Sequence, residues 1–251
     1  MLPSNERDPE LAVSVVVPVR NEAGNIAPLV AEIASALRDC PFEIIYVNDG
    51  SKDTTETELR GLTAERPWLR QIKHKESCGQ SAAVRTGVSV ARAPIVVTLD
   101  GDGQNDPAFI PILIATLEKG TPRIGLVAGQ RIDRKVSGFK QLQSRIANAV
   151  RRAVLKDGTR DTGCGLKAFR RDVFLSLPYF DALHRFLPAL VRREGFEIAY
   201  VDVVDRPRRH GASKYGLWDR LWVGILDLAG VWWLIRRKKR VPQCEEATRA
   251  C

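Results

Sequence analysis

Two carboxylates and an amide stand directly after a short apolar run in the first half of the chain. Residues 95–99 are all apolar or β-branched, and Asp100, Asp102 and Gln104 follow them at alternate positions. Such a run is typical of a buried parallel strand, and open α/β sheets bind ligands at the carboxyl ends of their strands. Carboxylate and amide oxygens suit a hard divalent cation, Mg²⁺ or Mn²⁺. The Asp-Gly-Asp-Gly stretch is also ordinary turn chemistry, which is the alternative interpretation.

A second acid and an arginine are predicted near the same edge of the sheet. Residues 42–48 form another apolar strand that ends in Asp49, and the strand predicted over 124–128 is followed by Arg131. If the strands that end at Asp49 and Asp100 are neighbours, their acids converge on one crevice. The guanidinium of Arg131 could hold phosphate oxygens with its fork of donors, and a surface arginine is the alternative.

Two loops and a basic helix add further candidates for contact with an anionic substrate. Ser213 and Lys214 lie in a basic loop between glycines, which could close as a lid over a diphosphate or remain a solvated loop. Asp161 lies in another loop, where it could position an acceptor substrate or an arginine, or cap a helix or a turn. Arg145 belongs to a basic amphipathic helix predicted over 139–156.

Alternating strands and helices provide the scaffold that positions these side chains. The apolar runs and helical periodicities predict strands at 12–19, 42–48, 69–75, 95–99 and 124–128 and helices at 25–37, 53–65, 80–91 and 106–119. Such alternation predicts right-handed βαβ units and a mainly parallel sheet. The sequence contains no glycine-rich phosphate loop. If the protein binds a nucleotide, acids and a metal would therefore have to hold it.

The net charge indicates the class of partner, and the cysteine content indicates the redox compartment. The 251 residues carry a formal net charge of +9, which favours an anionic partner such as a nucleotide, a phospholipid surface or a nucleic acid. The five cysteines show no metal-ligand spacing, so a reduced cytoplasmic protein is expected. Residues 1–8 carry no basic-then-apolar signal segment.

The C-terminal region predicts a Trp-rich helix over 215–235 followed by a basic cluster at 236–240. Asp219, Arg220 and Asp227 interrupt its apolar residues, whereas a membrane span needs about 20 mainly apolar residues. Tryptophans beside basic residues suit a helix that lies in the membrane interface. The alternative is a packed terminal helix with a solvated basic tail.

Six short blocks of the sequence match a known pattern in order. They are 15–22 (VVVPVRNE), 47–51 (VNDGS), 79–80 (GQ), 100–107 (DGDGQNDP), 161–170 (DTGCGLKAFR) and 210–216 (HGASKYG). The first four resemble family 2 glycosyltransferases with the GT-A fold. The last two resemble the dolichyl- or polyprenyl-phosphate mannosyltransferase branch of that family.

This resemblance implies an α/β protein with a Rossmann-like, mainly parallel central sheet flanked by helices. Residues 12–214 would form the GT-A domain, in which 12–130 bind the nucleotide sugar and metal and 131–214 bind the acceptor. Residues 215–240 would form an interfacial helix and a basic tail.

The resemblance also implies roles for individual positions. The nucleotide sugar would contact Pro18, Arg20, Glu22, Asp49, Asp100 and Gly101. A Mg²⁺ or Mn²⁺ ion on the diphosphate would be held by Asp100, Asp102 and Gln104. The acceptor phosphate would meet Arg131, Arg145, Ser213 and Lys214. The residues expected to contribute most to catalysis are Asp102, Arg131 and Lys214.

The expected activity is inverting transfer of mannose or another hexose from a GDP- or UDP-linked donor to polyprenyl phosphate. The protein would work as a peripheral protein at the cytoplasmic face of the membrane. A prenyl phosphate is already anionic at neutral pH, so cations that position it would suffice.

Two alternatives predict different requirements. A transferase that extends a saccharide or glycolipid hydroxyl needs a general base. A non-catalytic basic membrane- or nucleic-acid-binding protein needs no Asp100 and Asp102 pair. The aromatic residues cluster in one terminal helix instead of alternating with dispersed basic residues, so no nucleic acid partner is expected.

Overall fold

The computed structural model describes residues 8, 10–132, 151, 153–155, 158–159, 161, 163–207 and 217–237, with the backbone alone for 217–223. Over this part of the chain, seven strands form one sheet. They are β1 (Val13–Val19), β2 (Phe42–Asp49), β3 (Leu69–His74), β4 (Ile95–Thr98), β5 (Ile124–Ile132), β6 (Lys167–Arg170) and β7 (Glu197–Val204). Their order in the sheet is β3-β2-β1-β4-β6-β5-β7.

Helices connect and cover these strands. They are α1 (Ile26–Ala36), α2 (Thr55–Glu65), α3 (Gln80–Val90), α4 (Ile110–Lys119), α5 (Arg171–Ser176), α6 (Leu183–Arg193) and α7 (Leu217–Arg236). A 3₁₀ turn at Pro107–Phe109 precedes α4, and the Asp106 side chain caps it by accepting from the Ala108 N–H. Asp before Pro is a favourable start for a helical segment, as the sequence predicts.

The sheet is mainly parallel, as expected, with one reversed strand. β6 runs antiparallel to both β4 and β5, whereas the other neighbouring strands pair in parallel. A reversed strand begins where its neighbours end. The start of β6 at Lys167 therefore lies at the same edge as the carboxyl end of β4.

The sheet is buried on both faces, which explains why β1 and β4 are apolar without alternation. One core cluster includes Ile33 of α1 and Leu113 of α4, and the other includes Val88 of α3 and Leu187 of α6. Gly87 permits α3 to approach β1 closely, since a Cβ there would lie 2.3 Å from Val16 Cγ1. Each fully buried aliphatic side chain contributes about 1.5–3 kcal/mol to stability.

Three details differ from the sequence-based expectations. The strands that end at Asp49 and Asp100 are not neighbours, because β1 pairs with both β2 and β4. β5 continues to Ile132, so Arg131 lies within the strand instead of after it. Helices α5 and α6 had no counterpart in the prediction. Most of the basic helix predicted over 139–156 lies outside the described residues.

Candidate active site

The acidic loop after β4 is held in shape by its own hydrogen bonds. The backbone N–H of Asp100 donates to Asn105 Oδ1 at 3.0 Å, and the backbone N–H of Gln104 donates to Asp102 Oδ1 at 3.0 Å. Gln80, the first residue of α3, donates from Nε2 to Asp100 Oδ1 at 2.8 Å. The two carboxylates are thus positioned at the carboxyl edge of β4, as the sequence predicts.

The charge of Asp102 makes ionisation of Asp100 less favourable. The pKa of Asp100 is raised to about 6, first by burial and then by the charge of Asp102. Lys167, Arg131 and the hydrogen bond from Gln80 act in the opposite direction but do not cancel this effect. A site that disfavours two negative charges is one that a bound cation stabilises.

Gly165 lies against the carboxyl group of Asp100. A Cβ atom at residue 165 would be 2.5 Å from both Cγ and Oδ2 of Asp100. Any side chain here would therefore displace the carboxylate, and the glycine is needed for the loop before β6 to reach the acidic loop. Sequence reasoning gave Gly165 no role, although its place in the 161–170 block was visible.

Lys167 is a charged residue within the sheet. Only 4% of it is exposed, and its Nζ donates to the backbone carbonyl of Cys164. Burial lowers the pKa of Lys167, whereas the nearby Cys164, Asp100 and Asp161 favour its charged form. Sequence reasoning missed this residue, and the signal that could have found it is a lysine inside the short apolar run 166–169.

Arg131 is held by two carboxylates instead of projecting freely from the sheet. Its Nε and Nη2 donate to Asp161 at 2.5 and 2.9 Å, and its Nη1 donates to Asp205 Oδ2 at 3.0 Å. Asp161 Oδ1 also accepts from the Gly163 N–H at 3.0 Å. Of the roles considered for Asp161, the geometry therefore combines two: it positions an arginine and it caps a turn. The predicted contact of Arg131 with phosphate stays a prediction.

Asp49 organises the loop that leads into α3. Its carboxylate accepts from His74 Nδ1 and Ser77 Oγ, both at 2.7 Å, and from the backbone N–H groups of Cys78 at 2.8 Å and Gly79 at 3.0 Å. Burial alone would raise the pKa of Asp49, but these hydrogen bonds lower it. Potential ligand atoms of Asp49, His74 and Cys78 lie within 4.8 Å of one another, so this group could also hold a metal. The Asp49 carboxylate, however, already accepts four hydrogen bonds from the protein itself.

The other predicted nucleotide-binding residues lie at the end of β1. Gly101 packs on this strand, since a Cβ there would lie 2.3 Å from Val19 Cγ1. The backbone N–H of Glu22 donates to Thr55 Oγ1 at 3.0 Å, which directs this segment towards α2. Arg20 is exposed beside it. The predicted Arg145, Ser213 and Lys214 lie outside the described residues.

A cavity of about 150 Å³ opens beside Asp100. Its polar wall includes Gln80, Asp100, Lys167, His184 and Arg185, and Pro18, Val84, Leu99 and Leu187 are among its apolar lining residues. The structure thus brings the predicted Pro18 and Asp100 together on one wall. It adds His184 and Arg185 from α6, which sequence reasoning missed because α6 itself was not predicted.

His184 presents a neutral ring to this cavity. Its Nδ1 lies 2.7 Å from Ser81 Oγ. The pKa of His184 is lowered to about 3, first by burial and then by the charges of Arg185 and Lys167. At neutral pH this ring is therefore a hydrogen-bonding group and a very weak base.

Helix α7 combines a packed side with an exposed apolar side. Val231 is buried against the core, and Arg193 Nε of α6 donates to the Leu234 carbonyl at 3.0 Å. On the exposed side, Leu226 is 71% and Trp233 is 54% exposed. The guanidinium of Arg236 lies 4.1 Å from the ring centroid of Trp232, and that of Arg237 lies 5.0 Å from the ring centroid of Trp233. Within the described residues, no helix combines the length and apolarity required to cross a bilayer.

Comparison with known families identifies the class of protein. The model of glycosyl transferase family 2 matches residues 14–177. The chain belongs to this family. This result confirms the family resemblance, and the strand arrangement confirms the expected GT-A type of α/β fold.

Curated relatives of this family 2 glycosyltransferase act on polyprenyl phosphates, according to their names. A dodecaprenyl-phosphate galacturonate synthase of Rhizobium johnstonii is 35% identical over 243 residues, which cover 94% of this chain and 71% of that protein. An undecaprenyl-phosphate 4-deoxy-4-formamido-L-arabinose transferase of Edwardsiella ictaluri is 32% identical over 209 residues, 82% of this chain. The alignment spans 63% of the Edwardsiella protein, less than two thirds of its length.

Solved structures share the fold of this glycosyltransferase. Glucosyl-3-phosphoglycerate synthase of Mycobacterium tuberculosis, in complex with Mn²⁺, UDP and glucosyl-3-phosphoglycerate, aligns with a TM-score of 0.66 and 22% sequence identity. The alignment covers 91% of this chain and 80% of that chain. At this level of identity the likeness concerns the fold alone.

Proposed function

We propose that this family 2 glycosyltransferase transfers a sugar from a nucleoside-diphosphate sugar to a polyprenyl phosphate, with inversion at the anomeric carbon. The observation that carries the proposal is the Asp100 and Asp102 pair beside a cavity of about 150 Å³, in a chain whose relatives bear the names of polyprenyl-phosphate sugar transferases. The sequence resemblance alone favours mannose or another hexose. The relatives' names favour galacturonate or 4-deoxy-4-formamido-L-arabinose instead.

A divalent cation, Mg²⁺ or Mn²⁺, fits the acidic loop. Asp100, Asp102 and Gln104 would hold it, and its chemistry would be to neutralise charge on the diphosphate leaving group. Carboxylates outnumber cations among the described residues at this edge. The carboxylates are Asp100, Asp102, Asp161 and Asp205, and the cations are Arg131, Lys167 and Arg185. A diphosphate would meet net negative charge here without a cation, which supports a metal-dependent reaction with UDP or GDP as the leaving nucleotide.

The chain's own side chains favour an acceptor that needs no general base. Asp161 is paired with Arg131, and Asp49 accepts four hydrogen bonds from residues 74–79. His184 faces the cavity, but its pKa of about 3 makes it a poor base. A neutral hydroxyl acceptor would depend on such a base, whereas a prenyl phosphate is already a nucleophile. Under this proposal, the side chains of the site orient the two substrates and exclude water, and none of them has to act as a base.

We therefore expect Asp161→Asn to retain measurable transfer. The asparagine can still accept one hydrogen bond from Arg131, while the charge of the pair is lost. Initial rates and the affinities of both substrates check this expectation. Complete loss of transfer with unchanged donor and acceptor binding would identify Asp161 as a catalytic base and favour the hydroxyl-acceptor alternative.

Peripheral attachment to a membrane surface is the proposed setting, at its cytoplasmic face. The exposed Leu226 and Trp233, beside Arg236 and Arg237, form the kind of apolar and basic surface that lies in a lipid interface. A lipid-linked acceptor is confined to that surface, so attachment would bring the enzyme to its substrate. A non-catalytic membrane-binding protein would share this helix but would not need the acidic loop.

The direct test is transfer of label to lipid. Purified protein is incubated with radiolabelled UDP- and GDP-sugars, undecaprenyl phosphate in vesicles, and Mg²⁺ or Mn²⁺, and the organic phase is counted. We expect labelled lipid that depends on both the prenyl phosphate and the cation. Lack of labelled lipid from every donor, with a folded protein, would contradict the proposal, and label on a saccharide acceptor alone would support the hydroxyl alternative.

A further inference from the structure

We infer that the transferred sugar is a hexuronic acid whose carboxylate is bound by Arg185 in the cavity beside Asp100. This inference rests on the proposed function and adds the class of sugar. It depends on the position of the cavity, on the charges of its wall and on the state of Arg185.

The cavity lies where the sugar of a donor held at Asp100 would reach. Asp100 forms part of its wall, and so do the backbone segment at 163–165 and the first turn of α6. Its volume of about 150 Å³ suits one sugar ring better than a prenyl chain. The nearby Val84 and Leu187 give it an apolar side, as is usual for sites that bind a ring face.

The charges of the wall are mainly positive away from the acidic loop. Lys167 and Arg185 both line the cavity. Among the described residues, Asp100 is the one acidic residue that lines it. Asp100 already accepts from Gln80 at 2.8 Å. His184 is neutral and engaged with Ser81, so it neither adds an acid nor compensates the two cations.

Among the residues that the structure describes, the guanidinium of Arg185 has no hydrogen-bond acceptor, although the charge of Asp227 on α7 interacts with it at longer range. The backbone carbonyl of Arg185 accepts from Arg151 Nη2 at 3.4 Å, whereas the Arg185 guanidinium forms no described hydrogen bond, ion pair or ring contact. Arg131, by contrast, is paired with two carboxylates. A ligand that displaces water from the cavity would leave the N–H donors of Arg185 without acceptors unless it brought acceptor atoms of its own. The carboxylate at C6 of a hexuronic acid supplies such atoms and suits the guanidinium fork.

The test compares donors that differ at C6 alone. UDP-galacturonic acid is compared with UDP-galactose, and UDP-glucuronic acid with UDP-glucose, for transfer to undecaprenyl phosphate and for binding by calorimetry. GDP-mannose and UDP-4-deoxy-4-formamido-L-arabinose complete the panel. We expect at least one acid to be preferred over its neutral partner by about tenfold or more in kcat/KM, since a hydrogen bond to a charged group is involved.

Variants then connect the preference to Arg185. We expect Arg185→Gln to lower the ratio of acid to neutral donor by about tenfold or more, in both transfer and binding, and Arg185→Lys to restore part of it. Arg60→Gln removes an exposed arginine of α2 and serves as the matched control. Its donor ratio should equal that of the wild-type protein.

Distinct outcomes would overturn the inference. Equal or better use of a neutral donor by the wild-type protein would contradict a uronic acid. An unchanged donor ratio in Arg185→Gln, with a higher KM for undecaprenyl phosphate, would show that Arg185 binds the acceptor phosphate. Failure of every donor to label lipid would instead contradict the proposed function.

Discussion

Replacing Asp100 with asparagine should stabilise the ligand-free protein while removing its function. The pKa of Asp100 rises from 3.8 to about 6 on folding, a difference of about two pKa units. At 1.36 kcal/mol for each unit, the ionised carboxylate costs the folded state up to about 3 kcal/mol above pH 6. The introduced asparagine would carry no charge, and its side-chain carbonyl could still accept from Gln80.

The pH dependence gives the sign of this effect. Between pH 4 and pH 6 the folded protein keeps a proton on Asp100 that the unfolded chain has lost. The free energy of unfolding contributed by Asp100 therefore decreases as pH rises through this window and is constant above it. The advantage of Asp100→Asn should be small near pH 4 and should reach at most about 3 kcal/mol at pH 7.5.

Urea unfolding followed by tryptophan fluorescence, in the presence of EDTA, measures this difference at pH 4.5, 6.0 and 7.5. Asp39→Asn is a suitable control, because the Asp39 side chain is 96% exposed. Saturating Mn²⁺ should stabilise the wild-type protein and have little effect on Asp100→Asn, since a ligand stabilises only the state that binds it. A variant that is no more stable than wild type at pH 7.5, or whose advantage is the same at pH 4.5, would refute this reasoning.

Three further perturbations follow from the site and from helix α7. Asp102→Asn should reduce transfer by at least about a hundredfold with little change in unfolding, because we propose that its charge holds a cation. Near-normal rates at saturating Mg²⁺ or Mn²⁺ would contradict the metal assignment. Gly165→Ala adds a methyl group 2.5 Å from the Asp100 carboxyl group, so transfer and Mn²⁺ affinity should fall at least about tenfold while circular dichroism stays native-like. Alanine at both Trp232 and Trp233 should weaken sedimentation with anionic vesicles, and unchanged binding would argue against an interfacial α7.

The sequence predicts those parts of the fold that depend on local pattern. β1, β2 and β4 are continuous apolar runs, so their existence and burial follow from composition alone. The position of Asp100 and Asp102 after β4 follows in turn, since residues after a parallel strand lie at its carboxyl edge. The parallel character of the sheet follows from the alternation of strands and helices.

Strand order and the residues contributed from far along the chain could not be predicted in this way. Nothing local indicates that β1 separates β2 from β4 or that β6 is reversed, since both depend on pairing between distant segments. Helix α6 carries Pro188 in its interior, a residue that usually ends a helix, so its pattern was obscured. Lys167 and His184 were missed because their burial comes from the tertiary packing.

The boundary of the shared family segment divides the site unequally. The segment matched by the family model ends at residue 177, and it contains Asp100, Asp102, Arg131 and Lys167. Two residues lie beyond it: Arg185 on α6, and Asp205, which accepts a hydrogen bond from Arg131. Under the inference that Arg185 binds the sugar, the part of the cavity wall that α6 contributes could differ between enzymes that transfer different sugars, while the residues at the acidic loop stay the same. A chimera in which residues 178–207 come from the Edwardsiella relative would place its sugar preference on this chain's acidic loop, provided that the incoming segment supplies a carboxylate for Arg131.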